Sequence, residues 1–166
     1  MLRGKTMFRK PFFIATIACL GIALSGCMGG ASTMFRSDAS HTGNYSGSAP
    51  TTLDKLDWKY TTADKTYSSP VVANGMVYLG CNDGNLYAID QKTGQLKWKY
   101  KTGGNIEATP AVFDGTIYIG SWDKYLYAID EKTRALRWKL KTDGPVSSSP
   151  VIKDGIIYFA SEDGKL

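Results

Sequence analysis

Asp83, Asp123 and Asp163 stand forty residues apart. Carboxylates placed so regularly could ligate a metal or move protons, but either task needs further groups within reach. The sequence does not supply them. His41 is the only histidine, has no partner at ligand spacing, and reads as a solvated loop residue. The cysteines are Cys19, Cys27 and Cys81, no two of them adjacent, and no nucleophile–base pair can be named. Thr102-Gly103-Gly104 has no following helix that would hold a phosphate. Each aspartate falls instead in a turn-like stretch such as Asn82-Asp83-Gly84 or Glu162-Asp163-Gly164. A carboxylate there accepts hydrogen bonds from nearby backbone N–H groups. The expectation is turn chemistry, with no catalytic, metal-binding or cofactor-binding residue.

The interval itself carries more information. Trp58, Trp98 and Trp138 repeat at the same spacing, as do Pro70, Pro110 and Pro150, and Tyr78, Tyr118 and Tyr158. Trp58–Lys97 and Trp98–Arg137 share 18 identities in 40 ungapped positions, too many for shared composition, so the unit is duplicated. Within a unit, three turn signals separate short runs rich in Val, Ile, Tyr, Leu and Trp. Asn74-Gly75, Asp114-Gly115 and Asp154-Gly155 suit two-residue hairpin loops, which need positive φ at both residues. Three tight turns predict four antiparallel strands, near Ser69–Ala73, Met76–Cys81, Asn85–Asp90 and Gln95–Lys101. The repeated prolines fit strand starts, where a missing N–H is tolerated. No helical periodicity follows residue 30. Four-stranded sheets at this period predict an all-β fold, the blades of a β-propeller. About two and a half blades are present. The third repeat stops at Leu166, the counterpart of Leu86 and Leu126, so a fragment of a longer propeller is expected.

Ala88-Ile-Asp90-Gln-Lys-Thr93-Gly94-Gln-Leu-Lys-Trp98 resembles the tryptophan-docking motif of the pyrroloquinoline-quinone-like (PQQ-like) repeat propellers. The likeness covers about Leu56 to Leu166. It implies that each motif Trp packs on the Ala of its own motif and on the Gly peptide of the next blade. Carried over, Trp98 packs on Ala88, Trp58 packs toward Gly94, and Ala128 with Trp138 forms the second copy. Arg134 stands in the glycine place of that copy, so its turn is expected either to strain or to change. WD-repeat propellers fit less well, because Ser121-Trp122-Asp123 falls between the second and third strands.

The first 26 residues differ in kind. Arg3, Lys5, Arg9 and Lys10 precede an uncharged, mostly apolar run from Pro11 to Gly26. That pattern fits a secretory signal segment. Its end, Leu24-Ser25-Gly26-Cys27, resembles a bacterial lipobox, which implies cleavage before Cys27 and a lipid on its sulfur. Residues 27–52 read as a tether rich in Gly, Ser, Ala and Thr, and residues 53–166 as the partial propeller. Cys81 is then the one remaining thiol and reads as a small packing residue. The whole chain has 20 basic and 15 acidic residues. The signal segment takes four basic and no acidic ones, so the mature part is nearly balanced and gives no support for nucleic-acid binding.

These readings point to an exported scaffold, anchored by the lipid on Cys27 to the outer membrane or the outer face of the cell membrane. It would grasp other envelope proteins through its propeller loops. The resemblance further implies kinship with the propeller lipoproteins of the outer-membrane β-barrel assembly machinery. A fragment of a quinone-dependent dehydrogenase is the alternative the repeat family invites. The family's quinone sites use an adjacent pair of cysteines, which this sequence lacks. An extracellular sensor or carbohydrate-binding module is a third reading.

Overall fold

The computed structural model describes residues 56–166. The signal segment, Cys27, the tether and His41 lie outside the described residues. Ten strands and no helix occur among those described. The first repeat contains β1 (Val71–Ala73), β2 (Met76–Gly80), β3 (Asn85–Asp90) and β4 (Leu96–Lys101). The second contains β5 (Ala111–Phe113), β6 (Thr116–Ser121), β7 (Tyr125–Asp130) and β8 (Leu136–Lys141). Each set forms one antiparallel sheet in sequence order, β1-β2-β3-β4 and β5-β6-β7-β8. The third repeat contributes the pair β9 (Val151–Lys153) and β10 (Ile156–Tyr158).

The turns follow from their residues. Asn74 and Gly75 have φ of 49° and 76°, and Asp114 and Gly115 have 45° and 66°. Positive φ at both positions gives the hairpin turn whose twist matches its strands. The first strand of each blade is shorter than the sequence suggests. Pro70 has no N–H to pair, and the Ser69 N–H is drawn to Thr109 Oγ1 of the next repeat at 3.1 Å.

Each fourth strand carries a bulge. Ala88 faces Trp98 and Ile89 faces Leu96, which leaves Lys97 without an opposite residue, and the same shift recurs between Ala128 and Ile129. The bulged residue meets the motif aspartate, Lys97 to Asp90 at 3.2 Å and Arg137 to Asp130 at 2.6 Å.

The inner strands lose their alternation because both their faces are covered. In β3, all residues from Asn85 to Ile89 are buried. One face of the first sheet supplies Val71, Tyr78, Leu86 and Ala88 to a core shared with Ile106 of the connecting segment and with Ile117, Ile119 and Ile129 of the second sheet. The other face supplies Cys81, Tyr87 and Ile89, packed against Trp58 and Tyr60. Cys81 is fully buried, and its thiol donates toward the carbonyls of Asp64 and Lys65 at 3.4 and 3.5 Å. Each blade is therefore stable only between neighbours, the arrangement expected of stacked repeats.

Candidate functional site

The recurring aspartates organise one face of the molecule. Asp83 accepts from the Asn85 N–H at 2.9 Å and from the Tyr87 hydroxyl at 2.5 Å. Asp123 repeats this with Tyr125 at 3.2 Å and Tyr127 at 2.6 Å, and also accepts the Gly103 N–H at 2.8 Å. Asp163 accepts the Asp143 N–H at 3.1 Å in the same way. Gly103 and Asp143 precede the blade whose turn they bind, so each carboxylate ties a connecting loop to that turn. Burial and the bond to Asp83 push the Tyr87 phenol up to about 12. These carboxylates are thus engaged within the fold, Asp83 also by the Asn85 amide and Asp163 also by the Ser161 hydroxyl and Lys165. Among the described residues no cluster of His, Cys, Asp and Glu has the makings of a metal site.

The opposite face carries the β1–β2 and β3–β4 turns, and there the seams between repeats can be compared. At the first seam, Trp58 lies on Gly94. A Cβ placed on Gly94 would sit 2.6 Å from the Trp58 ring, and Gly94 has φ of 69°. The Trp58 indole N–H donates to the Gln91 carbonyl at 2.9 Å. Ala88 faces Trp98 across the β3–β4 ladder, and Ala128 faces Trp138 likewise.

At the second seam Arg134 occupies the glycine place and keeps its turn. Its φ is 65°, and its N–H still bonds to the Asp130 carbonyl at 2.8 Å. The backbone has accepted a left-handed arginine, which costs about 1–2 kcal/mol for an L-residue. A side chain now stands where an indole would lie. Between Trp98 and Arg134 is a solvent-open groove of about 510 Å³. Trp98 packs on Tyr78 of its own blade with ring centres 5.9 Å apart, as Trp138 does on Tyr118.

A polar link that the sequence reading missed spans this seam. Glu131 accepts from Asn74 Nδ2 at 2.9 Å and from the Tyr78 hydroxyl at 2.9 Å. Burial and the bond to Glu131 hold the Tyr78 phenol well above its ordinary value. The signal was present in two departures from the repeat. Glu131 replaces Gln91, and Asn74 stands where the other copies have Asp114 and Asp154. Neither departure has meaning until the two positions are known to meet.

Trp138 is 40% exposed, whereas Trp58 and Trp98 are half-buried. Trp122 is 42% exposed in its turn. Cys27 lies outside the described residues.

The sequence profile of the family described as outer membrane protein assembly factor BamB matches residues 51–107 and 101–166. No curated protein matches the chain. Among solved structures, BamB from Moraxella catarrhalis superposes with a TM-score of 0.57 at 22% identity, covering 65% of this chain and 37% of that one. The quinohemoprotein alcohol dehydrogenase ADHIIG of Pseudomonas putida HK5 gives 0.54 at 25% identity, covering 60% and 17%. A europium-containing methanol dehydrogenase gives 0.55 at 20% identity, covering 62% and 22%. The chain thus spans well under half the length of each of these three proteins. The shared feature is the propeller.

Proposed function

The chain belongs to the family of outer membrane protein assembly factor BamB, and on that premise we propose that it is a protein-binding scaffold of outer-membrane protein assembly. The observation that carries this reading is the family match across both complete repeats. The Leu24-Ser25-Gly26-Cys27 stretch supports an exported protein, lipid-anchored through Cys27, with residues 27–52 as its tether and 53–166 as its propeller part. The scaffold reading is non-enzymatic. Its functional surface is the loops, which rigid blades hold in fixed relation.

Photo-crosslinking from turn positions in the intact envelope tests the scaffold. Discrete adducts with envelope proteins are expected, and adducts with none would overturn it. Intact-mass spectrometry of the membrane-extracted protein tests the anchor. Loss of residues 1–26 and a lipid adduct on Cys27 are expected, whereas an unmodified Cys27 counts against it.

Likeness to two dehydrogenase propellers favours the second reading, a piece of a quinone-dependent dehydrogenase. The missing adjacent-cysteine pair argues against it. Saturable quinone binding with alcohol turnover in the whole protein would establish it.

A further inference from the structure

We propose that the groove between Trp98 and Arg134 binds an acidic peptide segment that carries an aromatic side chain between its carboxylates. The inference rests on the scaffold reading and names the chemistry of a partner at one place on it. Met76, Tyr78 and Trp98 give the groove an apolar and aromatic wall. Its rim carries Lys97, Lys132 and Arg134 against one acid, Glu131. Glu131 is already engaged by Asn74 and Tyr78. Lys97 is paired with Asp90 at 3.2 Å. Lys132 and Arg134 have no carboxylate partner among the described residues. The groove therefore presents two uncompensated cations beside an indole, and its complement is an anion with a flat apolar body.

A peptide fits better than the other anionic ligands. The groove is open to solvent along the face where the β1–β2 and β3–β4 turns emerge, so an extended chain can pass through it. A nucleic acid would need a broad basic field, which the near-balanced mature chain does not provide. Arg134 stands where the first copy has glycine, lines the groove, and supplies part of its charge.

The test is fluorescence anisotropy with the whole protein and fluorescein-labelled, amidated Glu-Asp-Phe-Glu-Asp. The comparison peptides are Lys-Lys-Phe-Lys-Lys and Glu-Asp-Ala-Glu-Asp. The acidic aromatic peptide is expected to bind about tenfold more tightly than either, and binding should weaken with salt. Arg134→Gly removes a charge and one wall of the groove, and Lys132→Ala removes a charge. Each is expected to weaken binding about five- to tenfold with an unchanged circular dichroism spectrum. Arg134→Gly introduces the residue the turn prefers, so loss of folding does not obscure the result. No measurable binding, equal binding of the lysine or alanine peptide, or unchanged affinity in both variants overturns the proposal. Envelope crosslinks from other turns, found together with such a result, would sink the groove and leave the scaffold standing. Absence of both would sink the two together.

Discussion

At the first seam, Trp58 lies flat on Gly94 and donates a hydrogen bond into the same turn. At the second, Trp98 and Arg134 line an open groove, and Glu131 reaches back to Asn74 and Tyr78. The two seams were written from one motif, and they differ at the glycine place, Gly94 against Arg134, and at Gln91 against Glu131. The first seam carries an indole packed on a glycine, and the second carries a polar link. A repeat can thus keep its strands and turns while changing how it holds its neighbour, because the blade and the seam are specified by different positions.

The largest test of this contrast is removal of the indoles. Trp58→Ala is expected to cost about 4 kcal/mol and Trp98→Ala about 3 kcal/mol in denaturant unfolding of the whole protein. Trp122→Ala, in an exposed turn, should stay within about 0.5 kcal/mol. An equal or greater cost at Trp122 would break the assignment of seam and surface.

Glycine substitutions come next. Gly94→Ala meets both an unfavourable φ and the Trp58 ring, whereas Gly115→Ala meets the φ alone, since nothing lies within 4 Å of its Cβ position. Costs of about 3 kcal/mol and about 1 kcal/mol are expected from strain and clash together. Comparable melting temperatures for the two variants would mean that Trp58 yields easily, and the first seam would be as loose as the second.

Arg134→Gly should act in the opposite direction. Relief of the left-handed arginine is expected to stabilise the protein by about 1 kcal/mol, read from the unfolding midpoint. A loss of stability would show that Arg134 has formed compensating contacts at its seam.

The smallest effect concerns acid. The Thr93 N–H and hydroxyl, aided by Lys97, hold the Asp90 carboxyl at about 2, below its ordinary 3.8. The corresponding Thr133 N–H, with Arg137, holds Asp130 lower still. A depressed carboxyl stabilises the folded state above its unfolded pKa and loses that contribution as pH falls through the folded one. The difference in melting temperature between the native protein and Asp90→Asn should therefore shrink from about pH 4 toward about pH 2. The corresponding difference for Asp130→Asn should persist to lower pH. Both carboxylates keep part of their surface in water, 23% and 20% of the side chain, so the differences are small.

Much of this was legible in the repeat. Asn74-Gly75 and its copies announce their hairpins because few residue pairs tolerate positive φ twice. Ala88 against Trp98 was expected from the resemblance to the docking motif alone, because the Ile89–Leu96 register by itself would set Lys97 opposite Ala88. The bulge at Lys97 was not legible, since an extra residue in a strand leaves no mark in an alternating pattern. The Glu131 link was hidden for a different reason. Its partners lie 57 and 53 residues away, and their meeting depends on how two finished blades stack. Arg134 was visible as a misfit, but the sequence left two outcomes open. The intact bond to Asp130 shows that the turn held.

Strand order bears on the kinetics of assembly. In both complete blades the strands lie in the order in which they are synthesised, joined by tight turns. Such connections keep loop-closure entropy small, and hairpins of this kind close within about 1–10 μs. Seams bring together residues tens of positions apart and must form afterwards. Cooperativity between blades is then set at the boundary and not within the sheets. The boundary beside Arg134 is where adjacent blades should first separate under native conditions. Amide protons of Ala111–Phe113, at the inner end of the second sheet, should accordingly exchange with solvent before those of Asn85–Asp90.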